Sequence, residues 1–253
     1  MLKRVMYITA GAFLGIFLVT LSFWAAHKTL TELPQLQDIQ SSRNITEHLP
    51  LDERNALRSS RESTVRILSL SMDGRIASTT GTYFEFKGGH YVLTVAHGIV
   101  GPCETTRIFS EPDGFVPCSE IIIKNVNVDY AIIAIEELPS LEPIELPQAT
   151  PRAHEWKQAL SAQTKVFYTG YPNSTGPLTV DGRVIGYALG DFVYLNSFAW
   201  GGASGSGVFT SDGKFIGYIL AIDIGQTEYG IDVLENIVIV VPAFKIDWSV
   251  LPN

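Results

Sequence analysis

Gly201-Gly-Ala-Ser204-Gly-Ser-Gly207 runs straight into Val208-Phe-Thr, a glycine-rich turn with a serine at its centre that enters a short β-run. A hydroxyl is a weak nucleophile unless a base stands beside it. The charge that develops on an attacked carbonyl needs backbone N–H groups aimed at it from a tight turn. Glycines permit such a turn and let another chain come close. Ser204 is therefore a candidate nucleophile, and the amides of Gly202 and Ser204 are candidate oxyanion donors. A plain Gly/Ser hairpin loop reads the same way, so the partners must be found elsewhere.

Two stretches upstream supply them. Leu93-Thr-Val-Ala-His97-Gly98 ends a β-run on a histidine, and Val128-Asp129-Tyr-Ala-Ile-Ile-Ala-Ile135 sends an aspartate into a strongly apolar strand. A carboxylate at the edge of a buried strand is costly unless it is paired and hydrogen-bonded. His97 is its natural partner, because Asp129 can accept the Nδ1–H and fix the imidazole tautomer. His27, His48, His90 and His154 lie in stretches that read as linker, loop or helix.

Around these blocks the sequence breaks into short β-runs between turn signals. Strands are predicted at 63–70, 80–87, 90–95, 119–124 and 129–135. After a Pro-rich connection (139–151) and one or two helical turns (152–160), they resume at 164–171, 178–187, 191–197, 206–210, 214–222 and 236–241. Two batches of about six strands, in a chain with 22 Gly and 13 Pro, predict an all-β domain of two six-stranded antiparallel β-barrels. The domain covers 62–253, with barrel one at about 62–138, a linker at 139–162 and barrel two at about 163–248.

The N-terminus has a different character. Residues 1–4 carry Lys3 and Arg4, and residues 5–26 are charge-free and mostly apolar, long enough for one transmembrane helix. The positive-inside rule leaves residues 1–4 in the cytoplasm and exports the rest, to the periplasm or the cell exterior. A signal anchor is preferred to a cleaved signal peptide, which would release a secreted protein, because Phe23 or Trp24 spoils the small-residue cleavage pattern. Residues 27–61 are polar and read as a stalk or linker with room for short helical turns. The lipid bilayer is thus one expected partner. Asn44-Ile-Thr46 and Asn173-Ser-Thr175 fit the glycosylation acceptor pattern.

Net charge and cysteine count exclude other classes. With a formal charge of -8 and no basic stretch, nucleic acid is not a partner. Two cysteines, Cys103 and Cys118, cannot build a zinc ribbon, and no metal site is expected. They flank the turn-like Glu111-Pro-Asp-Gly114, which allows either a disulfide-closed hairpin or two free thiols.

The three blocks together, in the order His97, Asp129, Ser204, resemble the signatures of the chymotrypsin/trypsin-like serine proteases, nearest to the bacterial HtrA/Deg and glutamyl endopeptidase branch. Gly81-Thr-Tyr-Phe84, Gly170-Tyr-Pro172, Gly182-Arg-Val-Ile-Gly186, Gly213 to Ile222 and Val241-Pro242 extend the likeness over about 62–248. The resemblance implies a serine endopeptidase with a His97–Asp129–Ser204 triad and an oxyanion hole at Gly202 and Ser204. It implies protein or peptide substrates and no metal or organic cofactor. Phe198, Ile219, Leu220 and Ala221 would border the primary specificity pocket; being apolar, they suit a small or hydrophobic substrate residue. Three departures stand out. Ala203 occupies a place where the family usually has Asp or Asn, which removes a brace of the oxyanion turn and implies that zymogen-type activation does not operate. Ser206 replaces a common Gly. A PDZ domain is not expected. The competing readings are a catalytically weak or inactive protease-like binding module at the membrane surface, and an esterase.

Overall fold

The computed structural model describes residues 50–111, 113–146, 153–227 and 230–252. The expected cytoplasmic residues 1–4, the apolar run 5–26 and most of the 27–61 stretch lie outside the described residues. Among the described residues no helix is long and apolar enough to cross a membrane.

The chain first forms β1 (Thr64–Leu70), β2 (Ile76–Phe86), β3 (Gly89–Thr94), β4 (Thr106–Ser110), β5 (Gly114–Pro117), β6 (Glu120–Asn125), β7 (Tyr130–Ile135) and β8 (Ile144–Glu145). They make one eight-stranded sheet in the order β5-β4-β1-β2-β3-β7-β6, with β8 lying parallel to β2. This corrects the expected closed, antiparallel six-stranded first barrel to an open half-barrel. Two added strands come from the hairpin around Gly114, whose Ser110↔Gly114 register closes β4 on β5. These strands are short and only half buried, so they carry little periodic signal. Cys103 and Cys118 are joined as a disulfide across the base of this hairpin, with Cα atoms 5.3 Å apart. The strand β8 falls within the Pro-rich connection, where Ile144 buries itself against β2.

The second unit is a closed barrel of β9 (Lys165–Gly170), β10 (Leu178–Tyr187), β11 (Val193–Asn196), β12 (Gly207–Thr210), β13 (Phe215–Thr227) and β14 (Gly230–Pro242). Its order is β10-β11-β14-β13-β12-β9. The last two strands form a hairpin longer than expected, paired from Gly217↔Pro242 to Thr227↔Gly230. Helix α2 (Ala153–Ala159) sets Trp156 into the core of this barrel, beside Val184, Leu195 and Val240.

Why β7 is apolar at every position follows from where its side chains go. Ala131, Ile133 and Ile135 fill the core of the first sheet. Tyr130 and Ile132 point the other way, into a core shared with Phe209, Tyr218 and Val241 of the second barrel. Alternate residues of a strand face opposite sides, so a strand between two cores must be apolar on both. Each fully buried Ile contributes roughly 1.5–3 kcal/mol. This shared core sets the edge of one barrel against the other, and Asp129 sits at its mouth.

Residues 51–61, expected to be linker, belong to helix α1 (Leu51–Glu62). Ala56 and Ser60 are its buried residues, and the Ser60 hydroxyl shares a hydrogen bond with that of Thr169 at 2.7 Å. Lys165 reaches Glu53 at 3.0 Å, and Arg61 donates to Thr179 at 3.0 Å. The helix is thus held to the second barrel largely by polar contacts. Two small residues spaced i, i+4 make too narrow a stripe to read as amphipathic.

Candidate active site

His97 lies in a single 3₁₀ turn, Ala96–Gly98, at the end of β3. Its neighbours Ala96 and Ile99 are buried and anchor the turn, which leaves the imidazole side chain 54% exposed. Gly98 is needed there, because a Cβ would come within 2.6 Å of the Thr79 methyl.

Asp129 faces it from the loop before β7. The two residues meet twice. Asp129 Oδ2 lies 2.6 Å from His97 Nδ1, and Oδ1 accepts the His97 backbone N–H at 2.8 Å. A carboxylate held at both oxygens cannot swing away without breaking both bonds. Nor can its loop drift. Asn125 Oδ1 accepts the backbone N–H groups of Asn127 and Val128, and the phenol of Tyr218, from the second barrel, donates to the carbonyls of Val128 and Asp129 at 3.2 Å each. Asp129 itself adopts a φ of 63°, a left-handed conformation that Asp tolerates better than most residues. Burial drives the Tyr218 hydroxyl far above its ordinary pKa, and the nearby Asp129 charge adds to the effect, so it stays a donor.

Ser204 stands on the turn between β11 and β12. Its carbonyl accepts the Thr80 backbone N–H at 2.9 Å and also the Thr79 hydroxyl. Thr79 therefore touches Gly98, next to the histidine, and Ser204, on the other barrel. Thr79 is thus a common neighbour of the turn that follows β3 and the turn that carries Ser204.

The turn's peptides are pinned one by one. Gly201 C=O accepts from Asn173 N–H at 2.6 Å, and Ala203 C=O accepts from the backbone and side chain of Ser206 at 3.1 and 2.6 Å. In a trans peptide the next N–H points opposite the carbonyl. The N–H groups of Gly202 and Ser204 are thus directed away from these partners. Gly202 (φ 97°) and Gly205 (φ 90°) have backbone shapes that side chains rarely adopt. A Cβ on Gly202 would meet the Tyr171 carbonyl at 2.6 Å, and one on Gly205 would collide with the Thr80 carbonyl. The backbone of Ile219 braces the far side, accepting from Gly205 N–H at 2.7 Å and donating to Ser206 C=O at 2.9 Å.

The apolar residues expected around a specificity pocket do not share one face. Ile219 is buried in the core of the second barrel, and Leu220 packs against the core between the barrels. A strand sends neighbours to opposite sides, which the sequence expectation for 219–221 did not take into account. The side chain of Ala221 is outside what the structure describes. Phe198 is 53% exposed and stacks on Trp200, with ring centroids 6.3 Å apart. Trp200 was not singled out by the sequence, although an aromatic immediately before Gly201-Gly202 was a readable signal. Thr79, Thr80 and Tyr218 were also missed, since nothing local marks a core residue that reaches across to another barrel.

Half-barrel, closed barrel, histidine–aspartate pair and serine turn together define a trypsin-like serine peptidase domain. The chain belongs to the trypsin-like peptidase domain family, which matches residues 79–217 and so includes His97, Asp129 and Ser204. Its fold is similar to that of the serine endoprotease from Yersinia pestis (TM-score 0.58, 18% identity, covering 77% of this chain and 63% of that one). It is also similar to the HtrA-type protease AlgW with tripeptide (0.58, 18%, 76% and 60%). The Rv3671c protease from M. tuberculosis in its active form is a third (0.56, 18%, 77% and 82%). The chain spans less than two thirds of the first two. No curated protein matches the sequence.

Proposed function

We propose that this chain is a membrane-anchored serine endopeptidase that cleaves peptide bonds through an acyl-enzyme. Ser204 Oγ attacks the scissile carbonyl while His97 takes its proton. The carbonyl oxygen becomes an oxyanion, stabilised by the Gly202 and Ser204 N–H groups. The C–N bond breaks, and His97 gives the proton to the departing amine. Water, deprotonated by His97, then attacks the ester, and the proton returns to Ser204 Oγ. Asp129 orients the imidazole and stabilises its cation. None of these steps calls for a metal or organic cofactor.

The observation that carries this is the two-point hold of Asp129 on His97, beside a serine turn whose peptides are individually fixed. The exposed Phe198–Trp200 stack, just ahead of Ser204, favours substrates with an apolar side chain at the cleavage site. Residues 5–26 would hold the domain to the bilayer from outside the cytoplasm, and the Cys103–Cys118 disulfide supports an oxidising compartment. Turnover of an unfolded protein by the full chain, lost in Ser204→Ala, tests the reading. Equal turnover in that variant sinks it. Recovery of the full chain in alkaline-washed membranes tests the anchor, and release into the wash contradicts it.

A further inference from the structure

We infer that Thr80 is the positioning residue of the oxyanion turn, acting through its hydroxyl from the opposite barrel. The inference rests on the peptidase reading above. Ala203, inside the turn, is buried and has only a methyl group, so it cannot brace the turn itself. Thr80 lies on β2 and is fully buried. Its Oγ1 is 2.9 Å from Tyr171 N and 2.7 Å from Gly202 O. A backbone N–H can only donate and a carbonyl can only accept, so the proton positions follow. The Tyr171 N–H donates to the hydroxyl, and the hydroxyl donates to the Gly202 carbonyl.

This relay fixes one edge of the Gly202–Ala203 peptide. The other edge is held by Ala203 N–H on the Trp200 carbonyl at 2.9 Å. The preceding peptide is held by Asn173, from the segment that also supplies Tyr171. Gly202 is thus held on both sides: Asn173 fixes the peptide that carries its N–H, and the Thr80 hydroxyl fixes the peptide that carries its carbonyl, so a shift at the carbonyl strains the N–H. Thr80 is itself rigid: its N–H donates to Ser204 C=O at 2.9 Å, and its carbonyl accepts the Thr94 hydroxyl at 2.7 Å. Removing the hydroxyl alone would leave the buried Tyr171 N–H and the half-buried Gly202 C=O without this partner, a cost that the turn relieves by shifting. The donor at Gly202 would then miss the oxyanion.

The test compares Thr80→Val, which keeps the shape, with Thr80→Ser, which keeps the hydroxyl, in the full 253-residue chain. The probe is a chromogenic peptide ester with an apolar residue at the cleaved position. Thr80→Val should lose about a hundredfold in kcat with KM within about threefold, the pattern of a displaced transition-state donor. Thr80→Ser should stay within about threefold of wild type in both, since it keeps the bonded oxygen. A role in packing alone would reverse the order, because Val preserves the methyl contacts and Ser does not. Should Thr80→Val not fold, Thr80→Ala takes its place against Thr80→Ser. Wild-type kcat in Thr80→Val, or equal loss in Thr80→Ser, overturns the inference while leaving the peptidase intact. A wild-type chain no faster than Ser204→Ala overturns the peptidase reading, and this inference with it.

Discussion

Asp129 grips His97 at two points, its Oδ2 on the ring Nδ1 at 2.6 Å and its Oδ1 on the backbone N–H at 2.8 Å. The first bond sets the tautomer and the second sets the turn that carries the ring. Asp129→Asn replaces one carboxylate oxygen by an amide NH₂, itself a donor, so the one remaining oxygen can accept from only one of these N–H groups, or the ring must take the wrong tautomer. Its kcat on a peptide substrate should fall about 10³–10⁴-fold with the fold retained. A loss of less than about tenfold would mean that the pair does not serve the chemistry.

Gly205 follows the serine at φ 90°, with the Thr80 carbonyl and the Thr94 hydroxyl against the place a Cβ would take. Gly205→Ala should therefore lower stability by at least about 2 kcal/mol from strain and collision. It should abolish turnover as well, read by thermal unfolding and a peptide assay. Gly74 is the control, since a Cβ there meets nothing within 4 Å. Its φ of 87° still exacts a strain cost, but without loss of activity.

Burial pushes the phenols of Tyr168 and Tyr171 up to about 12, and raises Tyr218 further, with Asp129 adding to it. An acid raised in the folded state is more protonated there than in the unfolded chain. Its stabilising share is complete below the unfolded value of about 10 and is lost as pH climbs from there towards 12. The unfolding temperature should fall steadily over that window. Tyr218→Phe should flatten part of the decline while lowering stability near neutrality by about 1 kcal/mol, the net worth of its lost hydrogen bonds. A pH-independent unfolding temperature up to pH 12 would contradict this.

The Cys103–Cys118 bond joins residues 15 apart in sequence on the half-barrel, around β4 and β5, strands that carry none of His97, Asp129 and Ser204. Cys103→Ser with Cys118→Ser should cost about 3 kcal/mol in the unfolding free energy. At low temperature kcat should hardly move. Proportionate loss of activity and stability would tie the hairpin to the site instead.

The three candidate positions stood out in the sequence because each occupies a local pattern: a strand ending on His97, an apolar strand led by Asp129, and Ser204 framed by glycines. The second barrel was legible through its turns and apolar runs. The open first sheet was less so, since β4 and β5 are short and half exposed, and β8 is a two-residue bridge in a Pro-rich stretch. Helix α1 was expected as no more than short turns in a linker, because polar bonds such as Ser60 to Thr169 and Lys165 to Glu53 hold it, and these leave no periodic trace. Thr80 and Tyr218 act across more than 80 residues of chain, which no window of sequence can show. At the apolar run that begins at Ile219 the sequence does not show which way each side chain turns, and Ile219 and Leu220 pack into different cores.

The most direct test of an assembled His97–Asp129–Ser204 site is the intact mass of the full chain after treatment with a fluorophosphonate. One covalent adduct is expected on the wild type, none on Ser204→Ala, and strongly slowed formation on His97→Ala. A folded wild-type chain that takes up no adduct, or a Ser204→Ala chain that takes up as much, would contradict it.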